Sequence, residues 1–231
     1  MMRERIITID GPAGVGKSTA ARMLAGKTGA VFLDTGATYR AVTLAALQAG
    51  VDLDDAGAVL GLMDRTRFEF VHEGDVLKVV IDGQDATAAI RTPAVTEQVK
   101  RVACQPALRS RLVELQRRFA AQFDRVVTEG RDQGTVVFPE AASKFFLTAE
   151  PRERARRRYR ELTGAGKDVD FETLVRQIAE RDASDENRSV GPLVPASDAI
   201  VIDTTHIDAE GVVDTMLGLI EDVHGTGEGQ T

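Results

Sequence analysis

Apolar residues first gather at Ile6-Ile7-Thr8-Ile9, β-branched at every position, which reads as a strand buried on both faces. A glycine-rich stretch, Gly11 to Gly16, follows. From Lys17 to Lys27 Ala and Leu dominate, and Gly29 supplies a stop, so this segment reads as a helix. Val31-Phe32-Leu33 is a second buried strand ending at Asp34, and helical patterning resumes from Ala37 to Ala49, with Gly50 at its end. Strand, helix, strand, helix in this order predicts a doubly wound α/β core.

The middle of the chain changes character. Arg67-Phe68-Glu69-Phe70-Val71-His72 alternates, Glu73-Gly74-Asp75 suits a turn, and Val76 to Ile81 resumes the alternation. This hairpin signal inside an α/β chain predicts a small inserted subdomain with antiparallel pairing. Two helices follow, about Pro93 to Ala103 and Pro106 to Gln122, each with proline near its start. Val126-Val127-Thr128 and Lys144-Phe145-Phe146-Leu147 then read as strands, Arg152 to Leu162 and Phe171 to Arg181 as helices. Ile200-Val201-Ile202 reads as a last strand and Ala209 to Val223 as a last helix. Gly225 to Thr231 holds three glycines and no apolar side chain, the pattern of a frayed tail.

Composition narrows the setting. A chain of 231 residues, 43% hydrophobic and 28% charged, suits one globular domain with small insertions. Its net charge of −7 argues against general coating of nucleic acid. The single cysteine, Cys104, cannot form an internal disulfide. The apolar run at Ile6–Ile9 is too short for a secretory signal, and no stretch approaches the ~18 apolar residues of a membrane span. A cytoplasmic protein is expected. Of the 29 basic residues 23 are Arg and six are Lys, a skew that codon usage alone can produce. Arginine's planar fork also suits phosphate, so the placement of these residues decides between the two readings.

The strongest chemical signal is Gly11-Pro12-Ala13-Gly14-Val15-Gly16-Lys17-Ser18, followed by Thr19. It matches G-x-x-x-x-G-K-[ST], with a strand before it and a helix after it. Glycines let successive backbone N–H groups converge on an anion, and the helix N-terminus favours negative charge there. Lys17 is placed to reach the β- and γ-phosphates of a bound nucleotide, and the Ser18 hydroxyl to ligate Mg²⁺. No Asn-Lys-x-Asp follows, which argues against a GTPase. In place of an apolar strand ending in Asp-Glu the chain has Val126-Val127-Thr128-Glu129. Glu129 can hold the metal or be an ordinary exposed strand-end carboxylate, and both readings stay open.

Two further clusters, Leu33-Asp34-Thr35-Gly36-Ala37-Thr38-Tyr39-Arg40 and Glu129-Gly130-Arg131-Asp132-Gln133-Gly134-Thr135, follow predicted strands, where open α/β sheets place ligands. With Val136-Val137-Phe138-Pro139, Glu180-Arg181-Asp182, Asn187-Arg188, Pro192-Leu193-Val194-Pro195 and Asp198-Ala199, they make the chain resemble bacterial-type cytidylate kinase over roughly residues 5 to 222. The resemblance implies a nucleoside monophosphate (NMP) kinase: a P-loop NTPase doubly wound parallel sheet core, a small antiparallel-sheet NMP-binding insertion and a helical lid. In these terms residues 1–231 form one domain, with core segments about 1–36, 104–150 and 171–223. The insertion is about 37–103, the lid about 151–170 and the tail 224–231.

The same resemblance implies transfer of the γ-phosphoryl of ATP to CMP and dCMP with Mg²⁺, by a monomer without nucleic-acid or membrane partners. It implies that Thr35 and Arg40 hold the monophosphate, that Arg109 and Asp132 read the cytosine edge, and that Arg131 and Arg188 meet phosphate. Arg181 and Asp185 fall at the ribose. An Asp can accept from the exocyclic amine and an Arg can donate to the ring acceptors, so the base assignment is chemically sound. One departure is Lys100, which stands where relatives can carry a base-reading Ser.

Arg152, Arg154, Arg156, Arg157, Arg158 and Arg160 fall within nine residues. Such a run is a solvated helix face, an RNA-contacting patch, or a lid closing arginines over the transferred group. On the lid reading Arg154 and Arg158, four apart and on one face, join Lys17, Arg131 and Arg188 as the catalytic cations, and Gly164-Ala165-Gly166 serves as a hinge. The rivals are another small P-loop kinase, for UMP or shikimate, and an RNA-associated ATPase. An acceptor panel separates the first, and RNA-stimulated hydrolysis the second.

Overall fold

The computed structural model describes residues 5–73 and 76–225. The turn expected at Gly74-Asp75 and the tail beyond Gly225 lie outside the described residues. The principal sheet is parallel and five-stranded, in the order β2-β6-β1-β7-β8, from strands Val31–Asp34 (β2), Val126–Gly130 (β6), Ile6–Asp10 (β1), Ser143–Thr148 (β7) and Ile200–Asp203 (β8). All five residues of β1 are buried, as its β-branched run requires of a strand covered on both faces.

The chain forms two compact units, residues 1–30 with 127–231, and residues 31–126. In the first, Ile7 of β1 pairs with Ser143 of β7, and Phe145 of β7 with Ile200 of β8. Helices α1 (Lys17–Thr28) and α8 (Ala209–Gly225) pack together, as do α6 (Pro151–Gly164) and α7 (Phe171–Glu186). Ile9, Leu24, Phe145, Leu147 and Met216 fill its core. Between β6 and β7 the chain makes one π turn, Gln133–Val137, which no periodicity announces. Helix α7 runs five residues past its expected end, so Arg181 and Asp185 share one helix at i, i+4.

The second unit is built around α2 (Thr35–Gln48), whose small side chains Ala37, Ala41, Ala45 and Ala46 are buried and let neighbours approach closely. Helices α4 (Pro93–Ala103) and α5 (Pro106–Ala120) pack on it. The hairpin expected at Arg67–Ile81 is present as β3 (Phe68–Glu73) and β4 (Val76–Ile81), with Phe70 opposite Val79, and a short β5 (Gln84–Asp85) adds a third strand. The sequence reading places no helix between Gly50 and Arg67, yet α3 (Ala56–Arg65) occupies that stretch, capped by the Asp55 carboxylate on Ala58 N at 2.9 Å. Gly57 and Gly61 mask its helical preference, and Val59, Leu62 and Met63 supply its buried face.

Candidate active site

The P-loop joins β1 to α1. Gly11 has φ +145°, and a Cβ there would lie 2.2 Å from the Leu147 carbonyl oxygen, so only glycine lets the loop leave the sheet against β7. Gly14 has φ +81°, and its missing Cβ would meet the Arg154 Cβ at 3.3 Å. Gly16 is the N-cap of α1, and no side chain caps the helix. Its first N–H groups are therefore available to an anion.

Lys17 is buried, and its Nζ donates to the Pro12 carbonyl at 2.7 Å. Burial, reinforced by the Arg131 and Arg181 guanidiniums, pushes the ammonium down to about 7, against the pull of Glu129 and Asp10. Ser18 Oγ donates to Glu129 Oε1 at 2.6 Å, across 111 positions of sequence. Glu129 is buried at the end of β6, so the ordinary exposed carboxylate allowed by the sequence is not what the fold makes of it.

Arginines of α6 meet the same loop. Arg154 is buried and donates to Asp182 Oδ2 (2.6 Å), Ala149 O (3.1 Å) and Ala13 O (3.2 Å), tying the P-loop to α7. Arg157 donates to the Thr204 carbonyl at 2.5 Å and to its hydroxyl at 3.3 Å, while Thr204 Oγ1 itself donates to Val15 O at 3.1 Å. Arg157 and Thr204 line a cavity of about 250 Å³ with Val15, Gly16, Thr19 and Ile207. Arg158 instead pairs with Glu161 at 2.7 Å on an exposed face. The face turned to the P-loop is thus Arg154 with Arg157, three apart, rather than Arg154 with Arg158. The arginine spacing alone cannot choose between these faces; the packing of α6 does. The expected hinge is a bonded helix end: Gly166 takes φ +75° and Lys167 N donates to Leu162 O at 3.0 Å.

The Gly130–Gly134 segment lies in the same unit. Arg131 Nε donates to Asp185 Oδ2 at 2.9 Å, and Arg188 donates to the other oxygen, Oδ1. Asp132 is buried, and Arg181 stands exposed on α7. Burial lowers the Arg131 guanidinium below its ordinary value, with Glu129, Asp10, Asp182 and Asp132 opposing. The segment therefore mixes cations and carboxylates inside a protein whose net charge is negative.

The second unit carries Thr35, Arg40 and Arg109. Asp34 caps α2 through Ala37 N at 3.1 Å and accepts from Arg91 at 2.9 Å, which fixes Thr35 as the buried first residue of the helix. Arg40 donates to Thr96 Oγ1 at 2.8 Å. Arg109 is buried, donates to Ala103 O at 3.3 Å, and sets its guanidinium 5.7 Å from the centre of the Tyr39 ring. Two turns along α5, Gln116 donates to Thr38 Oγ1 at 2.9 Å. Lys100 is exposed on α4.

No helix among the described residues is long and apolar enough to cross a membrane. A solved structure of an uncharacterized protein from Eubacterium ventriosum superposes with a TM-score of 0.50 over 95% of this chain and 99% of that one, at 15% identity, a likeness of fold alone. Among curated proteins, the cytidylate kinase of Pelotomaculum thermopropionicum is 51% identical over 90% of this chain and 92% of its own. Those of Desulforamulus reducens and Vibrio cholerae are 47% and 44% identical, over 96% and 94% of this chain and 99% and 96% of theirs. The profile of the family described as cytidylate kinase matches residues 7–222. With a P-loop fastened to the arginines of α6 and a family match over nearly its whole length, this chain belongs to the cytidylate kinases.

Proposed function

We propose that the protein transfers the γ-phosphoryl of ATP to CMP, and to dCMP, giving ADP and the nucleoside diphosphate. The observation that carries this reading is the P-loop assembly: Lys17 buried at its centre, with Ser18 and Glu129 joined at 2.6 Å. A hydroxyl and a carboxylate are the hard oxygen donors Mg²⁺ prefers, so these two residues fit the ion and would hold it. Bound there, Mg²⁺ supplies positive charge to the β- and γ-phosphate oxygens.

The other roles fall to the chain's own groups. The N–H groups of Gly11–Thr19 cradle the donor phosphates, and Lys17 regains its proton as they arrive. Thr35, Arg40, Arg131 and Arg188 hold the acceptor phosphate, which is largely ionised at neutral pH, so no general base is required. Arg109 and Asp132 read the cytosine edge, and Arg181 and Asp185 hold the ribose. Arg154 steadies the P-loop while Arg157, rather than Arg158, faces the donor. Catalysis is then alignment plus cations at the developing charge. The protein acts as a cytoplasmic monomer on small nucleotides, without nucleic acid.

An assay with ATP and Mg²⁺ across CMP, dCMP, UMP, AMP and shikimate tests this. The expected result is rapid turnover of CMP and dCMP, with slow ATP hydrolysis when no acceptor is present. Preference for another acceptor, or fast acceptor-free hydrolysis, would refute it.

A further inference from the structure

Asp10, the last residue of β1, lies next to the phosphate cradle, but its carboxylate is turned to a different segment. It is buried, and each oxygen accepts one backbone N–H from the segment after β6: Oδ1 from Gln133 at 2.9 Å and Oδ2 from Gly134 at 2.8 Å. Both donors lie more than 120 positions downstream. The segment is shaped to reach it. A Cβ on Gly134 would press on Thr8 Oγ1 at 3.1 Å and the Lys144 Cδ at 3.2 Å. The Gln133 side chain folds back so closely over Gly130 that a Cβ there would lie 2.8 Å from it, and its Oε1 accepts from Thr128 Oγ1 at 2.9 Å. The Asp132 carbonyl accepts from both Val136 N and Val137 N, closing the π turn. Arg131 and Asp132 therefore stand between fastened points on both sides, and one of the two fasteners is a carboxylate on the strand that carries the P-loop.

We propose that Asp10 is a positioning residue for the acceptor nucleotide: it clasps Gln133 N and Gly134 N and so sets the backbone from which Arg131 and Asp132 project. A carboxylate accepts both bonds at once, and charge-assisted bonds to backbone N–H groups are the stronger kind. An amide in the same place offers one acceptor oxygen and turns an N–H₂ toward the second donor. The inference rests on the CMP kinase reading, because it assigns Arg131 and Asp132 to the acceptor.

The test is steady-state kinetics and direct nucleotide binding on Asp10→Asn, with wild type assayed alongside. The expected result is a rise of about tenfold in KM for CMP with a fall in kcat, while the ATP dissociation constant measured without acceptor changes less than about threefold. Hydrogen exchange of the 130–138 peptide should quicken in the variant and leave the 11–19 peptide as in wild type. Wild-type kinetics, or a parallel loss of affinity for both nucleotides, overturns the clasp. If Asp10→Asn does not fold, Thr128→Val removes the other fastening of Gln133. The same split, with KM for CMP rising about threefold, is then expected, and an unchanged KM overturns the inference. A wild-type chain inactive toward CMP but active on another acceptor overturns the kinase reading itself, and the clasp with it.

Discussion

Replacing Lys17 by Met separates what the P-loop lysine does for catalysis from what it does to the fold. Met keeps the length and apolar stem of the side chain and deletes the ammonium. Burial holds that ammonium at about 7, against 10.5 for an exposed lysine. Each pH unit between these values is worth about 1.4 kcal/mol. At pH 7 the unfolded chain binds the proton fully and the folded chain about half the time, so the buried amine sets the folded state back by about 4 kcal/mol. Against this stands the lost bond to Pro12 O, worth about 1 kcal/mol, the pull of Glu129 and Asp10 being already contained in the value of about 7. The expected net effect is a gain of about 3 kcal/mol, or about 6–12 °C in Tm for a chain of this size. Below pH 7 the penalty is fully present. Between pH 7 and 10.5 the wild type recovers about 1.4 kcal/mol per unit, so the gap closes by about pH 10. Turnover, meanwhile, should fall at least about 100-fold, the usual consequence of deleting a charge-stabilising donor. Thermal unfolding at pH 7 and pH 9, beside ATP-dependent CMP phosphorylation, checks both halves. A Tm lowered at pH 7, or near-normal turnover, would refute the argument.

Three other outcomes follow from the geometry. Glu129→Gln keeps a partner for Ser18 but drops the charge, and should raise the Mg²⁺ concentration for half-maximal rate about tenfold or more, read by metal titration at saturating ATP. Asp132→Asn should shrink the preference for CMP over UMP by about 10- to 100-fold, measured as a ratio of kcat/KM values, because the amide no longer accepts from the cytosine amine alone. Gly11→Ala forces a Cβ to 2.2 Å from a backbone oxygen and should cost at least about 3 kcal/mol or abolish folding, whereas Gly16→Ala, at φ +94° with open space around it, should cost about 1–2 kcal/mol. Denaturant unfolding of the pair distinguishes steric from torsional strain.

Much of the fold is legible in the sequence because its signals are local. The β-branched run before Gly11, the proline starts at Pro93 and Pro106 and the alternation at Arg67–Ile81 each fix an element without help from elsewhere. Helix α3 is not, since Gly57 and Gly61 dilute its preference and burial of Val59 and Leu62 decides the matter. The π turn at Gln133–Val137 has no period to read. In the candidate site the split is the same. Lys17 and Ser18 are named by their motif, but the partner of Ser18 lies 111 positions away, and Asp10 meets Gln133 and Gly134 across more than 120. Arg157 and Arg158 are adjacent in sequence, and only the packing of α6 decides that one turns to the P-loop and the other to Glu161.

The division of the chain bears on the order in which it can be made. Residues 31–126 form a contiguous compact unit, whereas the unit holding the P-loop is split between residues 1–30 and 127–231. During synthesis the phosphate loop leaves the ribosome first, but Ile7 must wait for Ser143 and Asp10 for Gly134. The contiguous segment can condense while those partners are still unmade, since domains tend to fold as they emerge. The nucleotide cradle, written earlier in the chain than its partners, is therefore finished only after them, and a nascent chain gains a place for ATP only once Gly134 and Ser143 are out.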